Sequence, residues 1–337
     1  MSGSAIPYHL RPHKAVDRRI FIDLLGRFER WTPLMDYAYL SMGAYPLEDH
    51  KLIHRILGIV RLISFDTEDS IVARARFNKP IGNCRCLEKT SSAVVDSIDQ
   101  ILEECGFADA KGVIVWLDYT DPKKIGEQIR EFQSLLDKLA PGDIVRVTVN
   151  AHPHELIEKP SGSIISVEER RKKQFDVLRQ RIREYLPSRT VADEMTAEEL
   201  PRVLSASFAA AALKAFPPTH ESTFRPLSVV RYADGAQMLS MTGVVVRRSE
   251  EDELIQRLDL QSWPFGSSRW DQIHKLVVPD LTIRERLFLE REVVAKDVAT
   301  IVAGLGFDAA SGIAIAEFID SYKNYYRFYP TLLSAEF

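Results

Sequence analysis

Residues 37–66 predict a strand, a helix and a second strand, and this order constrains the fold more than any other stretch. A short apolar run, YAYLSM, is broken by GAYP at residues 43–46. The next segment carries leucine and isoleucine at helical spacing, and the run LISF that follows it ends at Asp66. We therefore predict a βαβ unit, whose parallel strands end at one crevice, where open α/β sheets bind ligands.

Gly43 and Asp66 are the two residues of this unit that we expect at the crevice. Gly43 follows the first strand, and Asp66 ends the second. A carboxylate in that place can accept hydrogen bonds from both hydroxyl groups of a ribose. The unit therefore predicts a cofactor that contains a nucleoside.

The length of the chain, 337 residues, exceeds the usual size of one domain, so we expect a large domain with an appended segment. With 45% hydrophobic and 27% charged residues, it has the composition of an ordinary globular protein. The sequence lacks both an apolar run near the roughly 20 residues that span a bilayer and the apolar core of a signal peptide. We therefore expect a cytoplasmic protein with no membrane partner.

The three cysteines are too few for a disulfide framework and fit a reducing compartment. Cys84 and Cys86 could supply two metal ligands, but no nearby Cys or His pair completes a tetrahedral set. We interpret them as two strand residues on one face and predict no metal site.

Further strands and helices alternate on both sides of this unit. A helix from Lys14 precedes the first strand; we interpret its charged residues as a solvated face, while Arg11 and His13 are alternatives for the cofactor pocket. The continuous apolar run at 112–117 is typical of a central strand. The other predicted elements are strands at 83–88, near an edge, and 143–149, and helices at 67–76, 91–105 and 123–139.

Polar residues follow the fourth and fifth strands at the same expected edge. Asp118 and Asp121 come after strand four, and Asn150 and His152 after strand five. His152 is a candidate base near neutral pH, and a solvated loop histidine is the alternative. Asp118 and Asp121 can also be interpreted as caps of the next helix.

A basic amphipathic helix is predicted after residues 161–163, within a helical insertion at about 161–220. Its cations are Arg170, Arg171, Lys172, Lys173, Arg179, Arg181 and Arg183. A solvated helix face is one interpretation, and a contact for a phosphate-bearing ligand or an acidic partner is the other. The net charge of −4 argues against a surface coated with such charge but permits a local basic face.

Residues 226–232 and 237–246, joined by the turn ADGA, predict a β-hairpin. Five strands alternating with helices and then an antiparallel pair is the element order of class I S-adenosylmethionine (SAM)-dependent methyltransferases. Beyond residue 250 the pattern is helical. We interpret the aromatic cluster at 322–330 as core or a dimer contact rather than a base-stacking surface.

Over residues 37–246 the chain resembles these methyltransferases, and more closely bacterial proteins described as O-methyltransferases that occur among antiviral defence genes. The resemblance rests on the segments YLSMGAYPLEDHKLIH, LISFDTED and VIVWLDYTDP. It implies a Rossmann-like α/β sheet of parallel strands with a terminal antiparallel hairpin. It also implies SAM as the cofactor and a protein partner in a defence assembly.

The resemblance implies particular site residues as well. Gly43 would lie against the methionine part of SAM, Asp66 would hold its ribose, and Asp118 would be closest to the transferred methyl group. The predicted cofactor-binding residues are Ser41, Gly43, Asp66, Thr67, Glu88 and Asp118, and the predicted catalytic residues are Asp118 and His152. The predicted domains are a loop and helix at 1–35, a methyltransferase-like domain at 36–250 and a mainly helical extension at 251–337.

Two other functions fit parts of the sequence. The spacing from Gly43 to Asp66 also matches a dinucleotide fingerprint, which would indicate a nicotinamide-dependent oxidoreductase, although the three-glycine turn is missing. The second alternative is a non-catalytic component of a defence complex that binds a nucleotide or a partner protein. The single glycine of the first loop, the basic helix and the C-terminal extension favour it.

Overall fold

The computed structural model describes residues 12–158, 165–309 and 313–329. Its strands are β1 (Ala38–Ser41), β2 (Arg61–Asp66), β3 (Arg85–Glu88), β4 (Val113–Asp118), β5 (Ile144–Asn150), β6 (Ser222–Asp234), β7 (Ala236–Arg247) and β8 (His274–Lys275). They form one sheet in the order β3-β2-β1-β4-β5-β7-β6-β8. The first five strands are parallel to one another, and β7 is antiparallel to both β5 and β6.

Helices precede, connect and follow these strands. The α-helices are α1 (Pro12–Phe28), α2 (Glu48–Leu57), α3 (Asp69–Phe77), α4 (Ser91–Asp96), α5 (Ile98–Glu104), α6 (Ile125–Leu136), α7 (Val167–Ile182), α8 (Leu200–Ala215), α9 (Glu251–Leu258), α10 (Ile283–Glu292), α11 (Val298–Leu305) and α12 (Ile315–Tyr325). Short 3₁₀ helices cover Pro122–Lys124, Pro153–Glu155, Arg183–Tyr185, Ala192–Glu194, Arg248–Glu250 and Tyr326–Phe328. In the part of the chain that the structure describes, no helix is long and apolar enough to cross a membrane.

The sheet confirms the predicted fold class, because five parallel strands and the antiparallel hairpin belong to one Rossmann-like sheet. The hairpin turns at Gly235, whose φ of +87° suits glycine. β4 lies inside the sheet and β3 at its edge, as the sequence predicts. The sequence did not predict β8, which pairs with β6 in a region expected to be helical, because two residues are too short to show a pattern.

Both faces of the sheet are covered, which explains the continuous apolar run of β4. Ile114 and Trp116 belong to the core shared with α1, α2, α3 and the C-terminal helices. Val113, Val115 and Leu117 belong to the core shared with α4 to α8. The C-terminal aromatic residues pack in the first of these cores, where Tyr322 and Tyr325 are fully buried. This agrees with their interpretation as packing residues.

The interpretation of the α1 charges as a solvated face was wrong for Lys14, Asp17 and Arg18, which are all buried. α1 lies between the sheet and the C-terminal segment. On the outer side, the Arg19 guanidinium donates to the backbone carbonyls of Phe328 and Tyr329. Because both sides of the helix are covered, its charged residues are buried with their partners rather than hydrated.

A buried ion pair fastens α1 to the middle of the sheet. Arg146 of β5 donates from Nη2 to Asp17 Oδ2 at 2.5 Å and from Nη1 to Thr242 Oγ1 at 2.8 Å. The rings of Phe21 and Trp116 each lie 4.8 Å from its guanidinium carbon. Neither charge has access to water, so each depends on the other for compensation.

We expect Asp17→Ala to lower the free energy of unfolding by about 3–5 kcal/mol, because it leaves the Arg146 guanidinium buried without its counter-ion. The double variant Asp17→Leu with Arg146→Met should recover most of this loss, since no buried charge remains. Urea denaturation of the wild type, the single variants Asp17→Leu and Arg146→Met, and the double variant gives the coupling energy. A single-variant loss below about 1 kcal/mol would contradict the proposed coupling.

Candidate functional site

An open crevice of about 470 Å³ lies at the carboxyl ends of β1 to β4. β1 and β4 are neighbours in the sheet, and the strand order reverses between them. Open α/β sheets bind ligands at such a switch point. Met42 and Ala44 follow β1 at the crevice, and Asp66 and Thr67 follow β2.

The crevice is acidic. Its carboxylates are those of Asp66, Glu68, Asp118, Asp121, Glu127 and Glu131, and its ammonium groups are those of Lys14, Lys89 and Lys124. Six carboxylates against three ammonium groups give a formal balance of −3. A concave site with this balance attracts cationic ligands and repels anionic ones.

Asp118 lies where α1 meets the crevice. Lys14 Nζ is 2.5 Å from Asp118 Oδ2, and the two side chains are only 9% and 15% exposed. The other carboxylate oxygen, Oδ1, is buried and accepts no hydrogen bond within the structure. Lys14 therefore orients the carboxylate, and one oxygen keeps its capacity to accept a hydrogen bond from a ligand.

Asp66 and Thr67 line the crevice at the end of β2, as predicted. Asp66 Oδ1 accepts a hydrogen bond from the backbone N–H of Glu68 at 3.0 Å, in the turn that leads into α3. The carboxylate thus has a local structural role, but only one of its oxygens is used in it. The second oxygen can accept a hydrogen bond from a ligand hydroxyl.

Gly43 packs against the protein itself. A Cβ atom on Gly43 would lie 2.4 Å from Ser64 Oγ and 3.1 Å from His50 Cε1, so no larger residue fits without a shift. This contact accounts for glycine at the position without a ligand. From the loop after β1, it is Met42 and Ala44 that line the crevice. Contact between Gly43 and a cofactor stays a prediction.

Ser41 is buried beneath this loop and lines a small cavity beside the crevice. The cavity, of about 20 Å³, has room for one water molecule. Arg18 and Asp49 line it as well, and Met42, Ala44 and Asp118 line both this cavity and the crevice. The loop after β1 therefore lies between two polar spaces.

Asp49 accepts hydrogen bonds from two residues of β1, the strand that precedes this loop. Its Oδ2 accepts from Ser41 Oγ at 2.5 Å and from the Tyr39 hydroxyl at 2.6 Å. Its Oδ1 lies 3.2 Å from His50 Nδ1. The other ring nitrogen of His50, Nε2, is 3.0 Å from the carbonyl oxygen of Ile63. α2 therefore ties β1 to β2 directly below the candidate site.

These contacts favour His50 as an imidazolium ion. Carbonyl and carboxylate oxygens only accept, so both ring nitrogens carry a proton. Burial lowers the pKa of His50, but the charge of Asp49 and its hydrogen bond raise it above the usual value overall. For Asp49 the effects have the opposite sign: burial raises its pKa, but the charge of His50 holds it well below its usual range.

Two predicted site residues lie away from the crevice lining. Glu88 ends β3 opposite Asp66 but is exposed, and it is the next residue, Lys89, that lines the crevice. His152 caps the 3₁₀ helix Pro153–Glu155, where its Nδ1 accepts from the N–H of His154 at 3.2 Å. The catalytic role of His152 and the adenine contact of Glu88 stay predictions.

Three other expectations concern Arg11 and His13, the two neighbouring cysteines, and a metal site. Arg11 lies outside the described residues, and His13 Nε2 accepts a hydrogen bond from the N–H of Val278. Cys84 and Cys86 are both buried in the same core, on one face, as the sequence predicts. Among the residues that the structure describes, no group of three or more His, Cys, Asp or Glu could hold a metal ion.

Sequence reasoning missed Lys14, Asp49 and His50 as parts of the site. Asp49 and His50 carry a signal in retrospect, because they stand in the first turn of the helix after β1, near the ligand edge. Lys14 carries none. Its position in a helix of mixed charge and apolar residues does not show which face the rest of the chain covers.

The sheet order and its crevice define a Rossmann-like protein of the class I methyltransferase type. The chain belongs to the family described as Putative O-methyltransferase, which matches residues 6–337. No curated protein sequence matches the chain significantly.

Solved structures show weaker likenesses. The plantazolicin methyltransferase BamL, with a triazolic desmethylPZN analog and SAH, is 10% identical, with 68% of this chain and 85% of that chain covered and a TM-score of 0.38. LepI in complex with SAM is 10% identical, with 66% and 46% covered and a TM-score of 0.35. A mutant 16S rRNA (adenine(1408)-N(1))-methyltransferase from Catenulisporales acidiphilia, with SAM, is 11% identical, with 66% and 91% covered and a TM-score of 0.32. The chain thus spans less than half the length of LepI.

We expect His50→Gln to lower the free energy of unfolding by about 3–5 kcal/mol near pH 6, because Asp49 loses the charge of His50 and the hydrogen bond with it. The raised pKa of His50 means that its stabilisation is complete below its usual pKa of 6.5 and is lost as the pH rises through the folded-state pKa. The variant should therefore lose less stability than the wild type as the pH rises. Urea unfolding between about pH 6 and pH 9 measures both slopes.

The matched control is His54→Gln on the same helix, because Nδ1 of that ring lies 3.1 Å from the Ile59 carbonyl oxygen. It should keep the pH slope of the wild type. Identical slopes in the wild type and His50→Gln would show that His50 is not the imidazolium ion described above.

Proposed function

We propose that the protein is a SAM-dependent O-methyltransferase that binds SAM in the crevice at the carboxyl ends of β1 to β4. The observation that carries the proposal is the acidic lining of this crevice at the switch point between β1 and β4. Membership of the O-methyltransferase family supports the same reaction class. A volume of about 470 Å³ lies in the usual range for a small-molecule site.

The charge of the crevice suits SAM. The cofactor carries a sulfonium, an ammonium and a carboxylate group, so its net charge is a single positive one. An excess of three carboxylates over ammonium groups therefore favours its binding. Transfer of the methyl group removes the sulfonium charge, so the same lining holds the product S-adenosylhomocysteine less strongly and helps its release.

The same charges disfavour a dinucleotide, whose pyrophosphate is anionic. A pyrophosphate in a Rossmann fold lies at the N-terminus of the helix after the first strand. In this protein the first turn of that helix, α2, carries Glu48 and Asp49. Glu48 there disfavours phosphate groups, whereas Asp49 is paired with His50, and Gly43 alone does not form the three-glycine turn. These features disfavour the nicotinamide-dependent alternative.

The residues of the crevice fit the parts of SAM. The unused oxygen of Asp66 would accept hydrogen bonds from the ribose, and Thr67 lies beside it. The ion pair of Lys14 and Asp118 lies next to the loop after β1, where the methionine part would bind. Among the described residues that line the crevice, Asp118 Oδ1 and Gln128 Oε1 are buried acceptors without a hydrogen-bond partner.

Bound SAM would supply an electrophilic methyl group, so the protein mainly has to align the acceptor and receive its proton. When an alcohol oxygen forms the new bond to carbon, it loses its proton and the carbon–sulfur bond breaks. We propose that the Asp118 carboxylate accepts that proton or orients the hydroxyl group. Lys14 keeps the carboxylate in position throughout.

We expect Asp66→Asn to weaken binding of S-adenosylhomocysteine about ten- to a hundredfold, because a charge-assisted hydrogen bond to the ribose is lost. Asparagine keeps the Oδ1 acceptor for the N–H of Glu68, so the turn before α3 stays intact. Isothermal titration of wild type and variant measures the change. The exposed residue Asp96 provides the control Asp96→Asn, which should bind as the wild type does. Unchanged affinity in Asp66→Asn would remove Asp66 from the site.

We expect Asp118→Asn to slow methyl transfer about a hundredfold or more, since general-base groups contribute at least this factor. Labelled SAM and cell extract serve as the assay, and the affinity for SAM is measured beside it. Asp121→Asn is the matched control, because Asp121 accepts from the N–H of Lys123 at 2.9 Å and asparagine preserves that cap. Equal transfer rates in Asp118→Asn and the wild type would exclude this role.

A second function uses the same crevice without transfer. The ion pair with Lys14 already engages one oxygen of Asp118, which favours a protein that binds the cofactor as a structural ligand. In that case S-adenosylhomocysteine binds, yet no labelled methyl group reaches any acceptor in extract. The two measurements above therefore separate the enzyme from the non-catalytic component.

We also propose that the protein acts in antiviral defence together with a protein partner. We expect it to do so in the cytoplasm. The support is the sequence resemblance to proteins encoded among defence genes. Cells that carry the protein and its neighbouring genes should resist bacteriophage, and Asp66→Asn should abolish that resistance. Equal plaque numbers with and without the wild-type protein would exclude the role.

A further inference from the structure

The cations of the chain are concentrated on one segment. Residues 170–189 contain eight Lys and Arg and two Asp and Glu, a formal charge of +6. The whole chain has a charge of −4, so the other residues together carry −10. Most of the segment is α7, which extends over 16 residues, or about 24 Å.

The fold presents these cations to solvent. A capping box of Ser166 and Glu169 starts α7. The acidic residues of the helix lie in its first turn, apart from Asp176. Leu178 and Ile182 are fully buried, so the opposite side of the helix faces solvent. The exposed side carries Lys172, Lys173, Arg179 and Arg183.

Few of these cations are neutralised within the protein. Among the described residues of α7, only Arg171 and Arg179 form ion pairs, at 3.7 Å to Asp193 and 3.5 Å to Asp176. Arginines elsewhere have closer carboxylates: Arg231 lies 2.5 Å from Glu198, and Arg257 lies 2.5 Å from Glu253. The α7 cations therefore repel one another, and an anionic partner would reduce this repulsion.

The basic side of α7 continues toward the edge of the sheet that carries the crevice. Gln174 of α7 donates to the carbonyl oxygen of Pro153, in the loop after β5. Burial lowers the pKa of His154, in the same loop, and the charges of His152 and of Arg170 lower it further. Near the other end, Arg181 donates to the carbonyl oxygen of Pro122, in the loop after β4.

We propose that α7 binds the phosphate backbone of a nucleic acid. Arginine, which pairs with phosphate through two parallel hydrogen bonds, supplies five of the seven cations from Arg170 to Arg183. A membrane is disfavoured, because the apolar side of α7 is occupied by the core. An acidic protein is disfavoured as well, because the exposed residues include no aromatic or aliphatic anchor between Lys172 and Arg183.

Fluorescence anisotropy with a labelled single-stranded RNA of about 20 nucleotides tests the proposal. The wild type should bind at low salt with an affinity that falls steeply as the salt rises from about 50 to about 200 mM. The test variant replaces Lys172, Lys173, Arg179 and Arg183 with glutamine. It should bind about tenfold more weakly or worse, with a salt slope smaller by about three.

The control variant replaces four exposed cations outside α7, at Arg55, Lys111, Lys138 and Arg284, with glutamine. It changes the net charge equally and should bind within about twofold of the wild type. Circular dichroism and titration with S-adenosylhomocysteine verify the fold of both variants. A smaller variant, Lys172→Gln with Lys173→Gln, should show about half of the slope change.

Three results would overturn the proposal. The first is a wild type without saturable RNA binding at about 50 mM salt. The second is an equal loss in the test and control variants, which would indicate net charge alone. The third is displacement of the RNA by polyglutamate as effectively as by unlabelled RNA, which would indicate an acidic protein partner. None of these results depends on the methyl-transfer activity proposed above.

Discussion

The placement of α1 over the sheet is the constraint on which the site depends. Lys14 and Asp17, three residues apart, lie on the face of the helix that meets the strands. Asp17 is neutralised by Arg146, and Lys14 by Asp118. Because buried charges are tolerated only with their partners, α1 has one position in which both pairs form. That position sets the orientation of Asp118 in the crevice.

The loop after β1 is held by side chains rather than by glycine-rich backbone. Asp49 bonds to Tyr39 and Ser41 on β1, and His50 joins the same carboxylate to the backbone of β2. Such a network can keep a loop with one glycine in a single conformation, since each donor has its acceptor. The single glycine is therefore compatible with an ordered binding site.

The net charge of the chain conceals two opposite surfaces. The crevice has a balance of −3, while the segment 170–189 has a charge of +6. Separation of this kind allows one protein to attract a cationic cofactor and a polyanionic partner at different places. The family and the fold support the proposed cofactor. The proposed nucleic-acid partner is supported only by the arrangement of α7.

Sequence patterns determined the α/β class, five parallel strands, the terminal hairpin and the ligand edge that contains Asp66, Thr67 and Asp118. Periodicity and turn residues carry this information locally, and parallel strands must end at the same edge. Only the tertiary structure decided that Lys14 pairs with Asp118, that Asp49 and His50 support the first loop, and that Glu88 and His152 lie outside the crevice lining. These contacts depend on which side of a helix or loop the rest of the chain covers. That is set by packing between residues far apart in sequence, as between Lys14 and Asp118, which are 104 positions apart.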